Sequence, residues 1–82
     1  MKLYEMHVDP DILERVLVIL AKSDGTTIVH AEEDGHGRMK YYRVYYECIP
    51  SVRKTLMVRC ENAGLKGKII WDPKDGDEWT LW

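Results

Sequence analysis

The feature that most restricts the fold is a tyrosine-rich run at residues 38–49, which holds four of the five tyrosines of the chain within six positions. A β-strand sends alternate side chains to opposite faces. One face of this strand is predicted to carry Tyr42, Val44, Tyr46 and Cys48. The other face is predicted to carry Met39, Tyr41, Arg43, Tyr45 and Glu47. The first set is typical of a core, whereas the second mixes aromatic and charged groups and favours a recognition surface.

A helix start follows a short predicted first strand, Leu3 to Val8. Asp9 has the chemistry of an N-cap residue and Pro10 suits the first helical position. We expect this helix to end near Lys22. Its apolar residues nearly encircle the last two turns, which is wider than the stripe that a helix needs against one sheet face. The pattern predicts either a second covering element or a contact surface.

The remaining elements are marked by turn and cap residues. A second strand is predicted at residues 26–31, followed by a polar, glycine-rich loop at 32–37 that leads into the tyrosine-rich strand as a hairpin. Ser51 is the expected cap of a second helix, and Gly64 is its expected left-handed end, with Leu65 folding back onto it. A strand at 68–71, a turn at 72–76 and a final strand at 79–82 complete the chain.

This order, β-α-β-β-α-β plus a terminal strand, resembles the ferredoxin-like architecture. The resemblance implies one α+β domain over residues 1–82, with two helices on one face of an antiparallel sheet and the other face open. Tyr41, Arg43 and Tyr45 are then expected on the open face, together with Glu5 and His7 or their neighbours in the first strand. The architecture is shared by many unrelated functions, so it does not identify one.

Charge is unevenly distributed along the chain, although the net charge is only −2. Residues 1–34 hold three Lys/Arg against eight Asp/Glu, residues 35–71 hold eight against two, and residues 72–82 hold one against four. Such blocks steer association if they remain separate in space, and lose that effect if folding intermixes them. Two cysteines, no signal peptide and no long apolar run are typical of a cytoplasmic protein that does not enter a membrane.

Nucleic-acid binding is one interpretation of the aromatic strand. Single-stranded RNA binders of this topology stack bases on aromatic residues of the third and first strands. The order Lys40-Tyr41-Tyr42-Arg43-Val44 lacks the glycine and the small residue of the RNA-recognition signature. The negative net charge also disfavours phosphate binding. This interpretation is therefore kept as the alternative.

Catalytic and metal-binding patterns have little support. His7, His36 and Cys60 lack a motif that joins a nucleophile, a base and an oxyanion donor, so we expect no enzyme activity. The candidate metal ligands are His30, Glu32, Glu33, Asp34 and His36. Their spacing matches no established ligand pattern, and Cys48 and Cys60 are expected in the core, so no metal or cofactor is predicted.

The sequence thus favours a small non-enzymatic protein-binding module, an inhibitor or an adaptor of the kind found in phages and mobile elements. Its partner is expected to be another protein or a second copy of the chain. The predicted binding residues are Met39, Tyr41, Arg43, Tyr45, Trp79 and Trp82. The acidic segments 32–34 and 72–78 are expected to steer the module towards a basic surface. An alternative left open is that the two C-terminal tryptophans simply cover the open face.

Overall fold

The computed structural model describes residues 1–73, so the predicted C-terminal strand with Trp79 and Trp82 lies outside the described residues. In chain order the elements are β1 (Lys2–Val8), a 3₁₀ turn (Pro10–Ile12), α1 (Leu13–Ala21), β2 (Thr27–His36), β3 (Met39–Cys48), α2 (Pro50–Asn62) and β4 (Ile69–Ile70). The structure is α+β, with a four-stranded antiparallel sheet and two helices.

The tyrosine-rich strand β3 lies inside the sheet, whose strand order is β2-β3-β1-β4. Tyr46 lies opposite Tyr4 on β1 and Ile28 on β2, and Val44 lies opposite Met6 and Ala31. The rings of Tyr4 and Tyr46 stack with centroids 5.5 Å apart. The even-numbered positions of β1 and β3 therefore share one face of the sheet.

That face carries the core. Its buried strand residues form one cluster with buried residues of both helices. The members of this cluster include Met6, Val8, Val16, Leu20, Val44, Tyr46, Cys48, Leu56 and Cys60. The predicted burial of Val44, Tyr46 and both cysteines is thus confirmed, whereas Tyr42 is only half-buried. Burial of this apolar surface is the main favourable contribution to folding.

The helix ends follow local chemistry, with one correction. The carboxylate of Asp9 accepts a hydrogen bond from the Asp11 amide at 2.8 Å, as an N-cap residue should. Helix α2, however, begins at Pro50 after Ile49, so the prediction of Ser51 as its cap was wrong. Proline lacks an amide hydrogen that the first turn would leave unpaired anyway, and it therefore starts the helix two residues earlier than a Ser51 cap would.

The end of α2 is the predicted left-handed cap. Gly64 has a φ of 81°, and the Leu65 amide donates to the Cys60 carbonyl at 3.0 Å. The Gly64 amide donates to the Glu61 carbonyl, which completes a Schellman motif. Leu65 is consequently buried against the helix and turns the chain towards β4.

The prediction of a loop at residues 32–37 was wrong. These residues continue β2 as far as His36, and the connection is the two-residue turn Gly37-Arg38. Gly37 has a φ of 57°, which the first central position of such a tight hairpin turn requires. Acidic residues are poor strand formers on average, but cross-strand partners on β3 compensate for that preference here.

The wide apolar surface of α1 is mostly used in packing. Val16 and Leu20 are fully buried, and Leu13, Leu17 and Ile19 are half-buried against the core cluster. Val18 remains 45% exposed and is the clearest part of that surface left open to solvent. In residues 1–73 there is no helix with the length and apolar character needed to cross a membrane.

Candidate functional site

The face of the sheet opposite the core is the candidate site, and we call it the open face. From the strand registers it carries Leu3, Glu5 and His7 of β1, Thr27, His30, Glu32 and Asp34 of β2, Tyr41, Arg43, Tyr45 and Glu47 of β3, and Ile70 of β4. The predicted residues Tyr41, Arg43 and Tyr45 are therefore brought together, each half-buried. Glu5 lies opposite Tyr45 and His7 lies opposite Arg43, so these two residues of β1 share the face, as expected.

Arg43 lies at the centre of this face and is held by the strands on both sides. Its guanidinium pairs with the carboxylate of Asp34 on β2, and its Nε lies 3.6 Å from the Glu5 carboxylate on β1. Hydrogen bonds with the hydroxyls of Tyr41 and Tyr45 raise the pKa of Arg43 further above its ordinary value. The one cation among these strand positions is thus compensated within the molecule.

His7 on β1 packs against the ring of Tyr41. The side chain is almost completely buried, and its Nε2 lies 2.6 Å from the Glu5 carboxylate. Its ring stacks against Tyr41 with centroids 4.5 Å apart and an interplanar angle of 27°. Tyr41 is therefore a supported ring rather than a freely rotating one, and less side-chain entropy is lost when a partner covers it.

The ring of His30 packs against Tyr45 in the same way. The two rings stack with centroids 6.4 Å apart, and the His30 Nε2 lies 3.4 Å from the Glu32 carboxylate. A register shift between Ile28 and His30 places His30, rather than Val29, opposite Tyr45. The sequence suggested His30 only as a metal ligand. No residue near it predicts the bulge that turns its side chain towards the open face.

The open face carries more acidic than basic side chains. Four carboxylates lie on it, from Glu5, Glu32, Asp34 and Glu47, against the single guanidinium of Arg43. The amide of Gly35 donates to the Asp34 carboxylate at 2.7 Å and, together with the nearby Arg43 charge, lowers the pKa of Asp34. That side chain therefore stays ionised at neutral pH and into acid.

The acidic segment 32–34 does not act as one patch. Glu32 and Asp34 point to the open face, whereas Glu33 lies on the other side, where its carboxylate accepts from the Tyr42 hydroxyl at 3.2 Å. Glu33 also lies 3.6 Å from the Lys40 ammonium. The prediction of an acidic loop at 32–34 thus becomes two open-face carboxylates and one cross-strand pair. Most of the segment 72–78 lies outside the described residues.

The basic residues of α2 are largely used inside the molecule. Arg53 donates to the Trp71 carbonyl at 3.0 Å and to the Asp72 carboxylate at 2.8 Å, and lies over the Tyr4 ring. Arg59 donates to the Ser23 hydroxyl at 2.9 Å. The charge of Arg53 is therefore paired with Asp72, whereas Lys54 and Arg59 are exposed.

The helix side of the sheet holds a cleft of about 290 Å³ that is lined by Met57, Leu65, Ile69 and Trp71 among others. The Cys60 thiol borders it, and burial raises the pKa of that thiol to about 11. A thiol in this state is a poor nucleophile near neutral pH. Within residues 1–73 no three His, Cys, Asp or Glu side chains are grouped to hold a metal ion.

The last predicted site residues lie at or beyond the margin of this surface. Met39 begins β3 opposite His36 at the end of the hairpin, and Trp79 and Trp82 lie outside the described residues. Comparisons of the whole chain with protein-family models, with curated proteins and with solved structures find no match.

Proposed function

We propose that this chain is a non-enzymatic module that binds a basic surface of another protein through its open face. The main evidence is the composition of that face. It presents two tyrosines, each stacked on a histidine, among four carboxylates, and Arg43 is already ion-paired to Asp34 and Glu5. Tyrosine supplies a large contact area at low entropy cost, and carboxylates select cations. An inhibitor or adaptor working in the cytoplasm, of phage or mobile-element type, is consistent with this chemistry.

Supported aromatic rings give such a face its affinity. Tyr41 rests on His7 and Tyr45 rests beside His30, so both rings present a fixed surface. A lysine or arginine side chain laid over the ring of Tyr45 meets an aromatic face beside the carboxylate of Glu47, which combines cation–π and ionic attraction. The carboxylates of Glu32 and Glu47 then add long-range attraction that accelerates encounter.

A ferredoxin-like fold is part of the proposal. The element order β1-α1-β2-β3-α2-β4 and the sheet order β2-β3-β1-β4 favour it, as does the one core cluster that both helices share with the strands. In that architecture the uncovered sheet face is a common place for a ligand, because helices protect only the other side. Fold alone does not choose the ligand, and the chemistry of the face decides it.

The same chemistry disfavours the nucleic-acid alternative. A phosphate chain laid across Tyr41 and Tyr45 would meet carboxylates, from Glu5, Glu32, Asp34 and Glu47. Nucleic-acid affinity instead needs cationic side chains, which neutralise phosphates and release their counterions. Arg43 offers no free charge, because its guanidinium already pairs with two of those carboxylates. A second copy of this chain would likewise bring one acidic face against another, so self-association through this face is disfavoured as well.

Photo-crosslinking in the native cell tests the proposal. The photoreactive residue p-benzoylphenylalanine replaces Tyr45 in one variant and the exposed Val58 of α2 in a control variant. We expect a protein adduct from position 45 that survives nuclease and is absent from position 58. The adduct should weaken when Glu47→Lys reverses a charge on the open face. Adducts of nucleic acid, adducts of the chain with itself, or equal adducts from both positions would overturn the proposal.

A further inference from the structure

Within residues 1–73, the outer edge of β2 pairs with no other strand and is a template for strand addition. β2 is the terminal strand of the sheet, with β3 on one side and no strand of residues 1–73 on the other. From His30 to His36 it keeps an unbroken register with β3 over seven pairs. Alternate backbone groups of such a strand point outwards and are available to another chain.

Proteins normally protect an edge of this length, and β2 carries charged side chains and a bulge, but no strand of residues 1–73 covers it. It contains no proline and no lysine, and it runs for ten residues. The bulge at Ile28 and His30, with Val29 half-exposed beside it, interrupts only the beginning of the strand. The regular part of the edge, residues 30–36, is left as the place where a strand would pair.

The charges along this edge select its occupant. Glu32 and Asp34 lie on one side of the strand and Glu33 on the other, so an added strand would meet carboxylates on both of its faces. Opposed side chains in neighbouring strands are close enough for like charges to repel. In an antiparallel pairing of two copies centred on Glu33, that residue would face itself and Glu32 would face Asp34. A second copy is therefore disfavoured, and a lysine- or arginine-bearing strand is favoured.

We propose that β2 captures an extended, basic segment of a partner protein as a fifth strand of the sheet. Backbone hydrogen bonds along residues 30–36 would supply the affinity, and the alternating acids would require basic side chains. The proposal rests on the proposed function for the basic character of the partner, and it adds a binding mode and a register. It also explains why the hairpin extends its acidic residues as a regular strand rather than as a loop.

A synthetic peptide tests this on the purified chain. The probe alternates lysine and valine and is long enough to span His30 to His36. A matched peptide carries a methyl group on every backbone nitrogen, which keeps the charges and removes the donors. We expect the methylated peptide to bind at least about tenfold more weakly. The unmodified peptide should slow hydrogen exchange of alternate β2 amides.

Charge variants locate the site. Glu32→Lys on the edge strand should weaken the lysine peptide more than Glu47→Lys, which makes the same change on the interior strand β3. Equal binding of methylated and unmodified peptides, or a larger effect of Glu47→Lys, would overturn strand addition while leaving an open-face binder intact. No binding of the unmodified peptide would also overturn it. The proposed function fails separately, through the photo-crosslinking result.

Discussion

The guanidinium of Arg43 on β3 and the carboxylate of Asp34 on β2 form an ion pair across the hairpin, in the centre of the open face. They are nine positions apart in the chain, and only the register of the hairpin brings them together. The pair compensates the charge of Arg43 on the recognition surface and holds the Asp34 carboxylate in one position. The ionisation of Asp34 should therefore contribute to the pH dependence of the free energy of unfolding.

Replacing Asp34 should reduce the acid sensitivity of the fold. The Gly35 amide and Arg43 hold the pKa of Asp34 below its ordinary value of 3.8. The stabilisation from this carboxylate is then fully present above 3.8 and is lost as the pH falls through the lower folded value. We expect Asp34→Asn to be less stable than the parent at neutral pH, with the difference shrinking in acid. Urea unfolding of both chains between about pH 2 and about pH 6 measures it. A difference that stays constant over this range would contradict the assignment.

Two adjacent tyrosines should separate recognition from stability. Tyr45 lies half-buried on the open face, whereas Tyr46 is fully buried in the core and stacked on Tyr4. Tyr46→Ala should lower the free energy of unfolding by about 3–5 kcal/mol, the usual cost of emptying an aromatic core site. Tyr45→Ala should cost less than about 1 kcal/mol and should weaken binding of the purified partner that the photo-crosslinking identifies. Urea unfolding provides the stability comparison, and a large loss from Tyr45→Ala would mean that this ring is structural.

Much of the fold follows from the sequence because its strongest signals are local. The alternation around Tyr42, Val44 and Tyr46 identified the core face, and Asp9 and Gly64 marked helix ends through their own backbone requirements. These features depend on residues a few positions apart, so a single sequence contains them. The α+β class and the positions of both helices could therefore be predicted.

The remainder depends on pairing between distant segments. Residues 32–37 look like a loop because glutamate, aspartate and glycine are poor strand formers, yet their partners on β3 hold them as a strand. The bulge beside His30 changes which face that residue joins, and the Arg43–Asp34 pair follows from the resulting register. Likewise, Arg53 looked like a solvent-facing cation of α2 until the chain after β4 supplied Trp71 and Asp72 as partners.

The thiol of Cys60 should be slow to react in the folded protein. Burial raises its pKa to about 11 from an ordinary value of 9.0. At about pH 8 the thiolate fraction falls from roughly one in ten to roughly one in a thousand, before any steric protection is counted. We expect alkylation of the native chain at that pH to be at least about 100-fold slower than in denaturant. A variant Cys48→Ala isolates the Cys60 signal, and rapid native labelling would place this thiol at the surface.

Neighbouring cations on α2 should differ sharply in their effect on stability. Arg53 is only 16% exposed through its side chain, bonds to the Trp71 carbonyl and to Asp72, and lies 4.8 Å from the Tyr4 ring centroid. Arg53→Glu places a carboxylate among these acceptors and should lower the free energy of unfolding by about 3 kcal/mol or more. Lys54→Glu changes the net charge equally at an exposed position and should stay within about 0.5 kcal/mol of the parent. Urea unfolding compares the two, and equal effects would contradict the structural role of Arg53. If the two variants differ in this way, only Lys54→Glu tests whether the basic residues of α2 bind nucleic acid. Loss of nucleic-acid binding in an Arg53 variant would instead report unfolding.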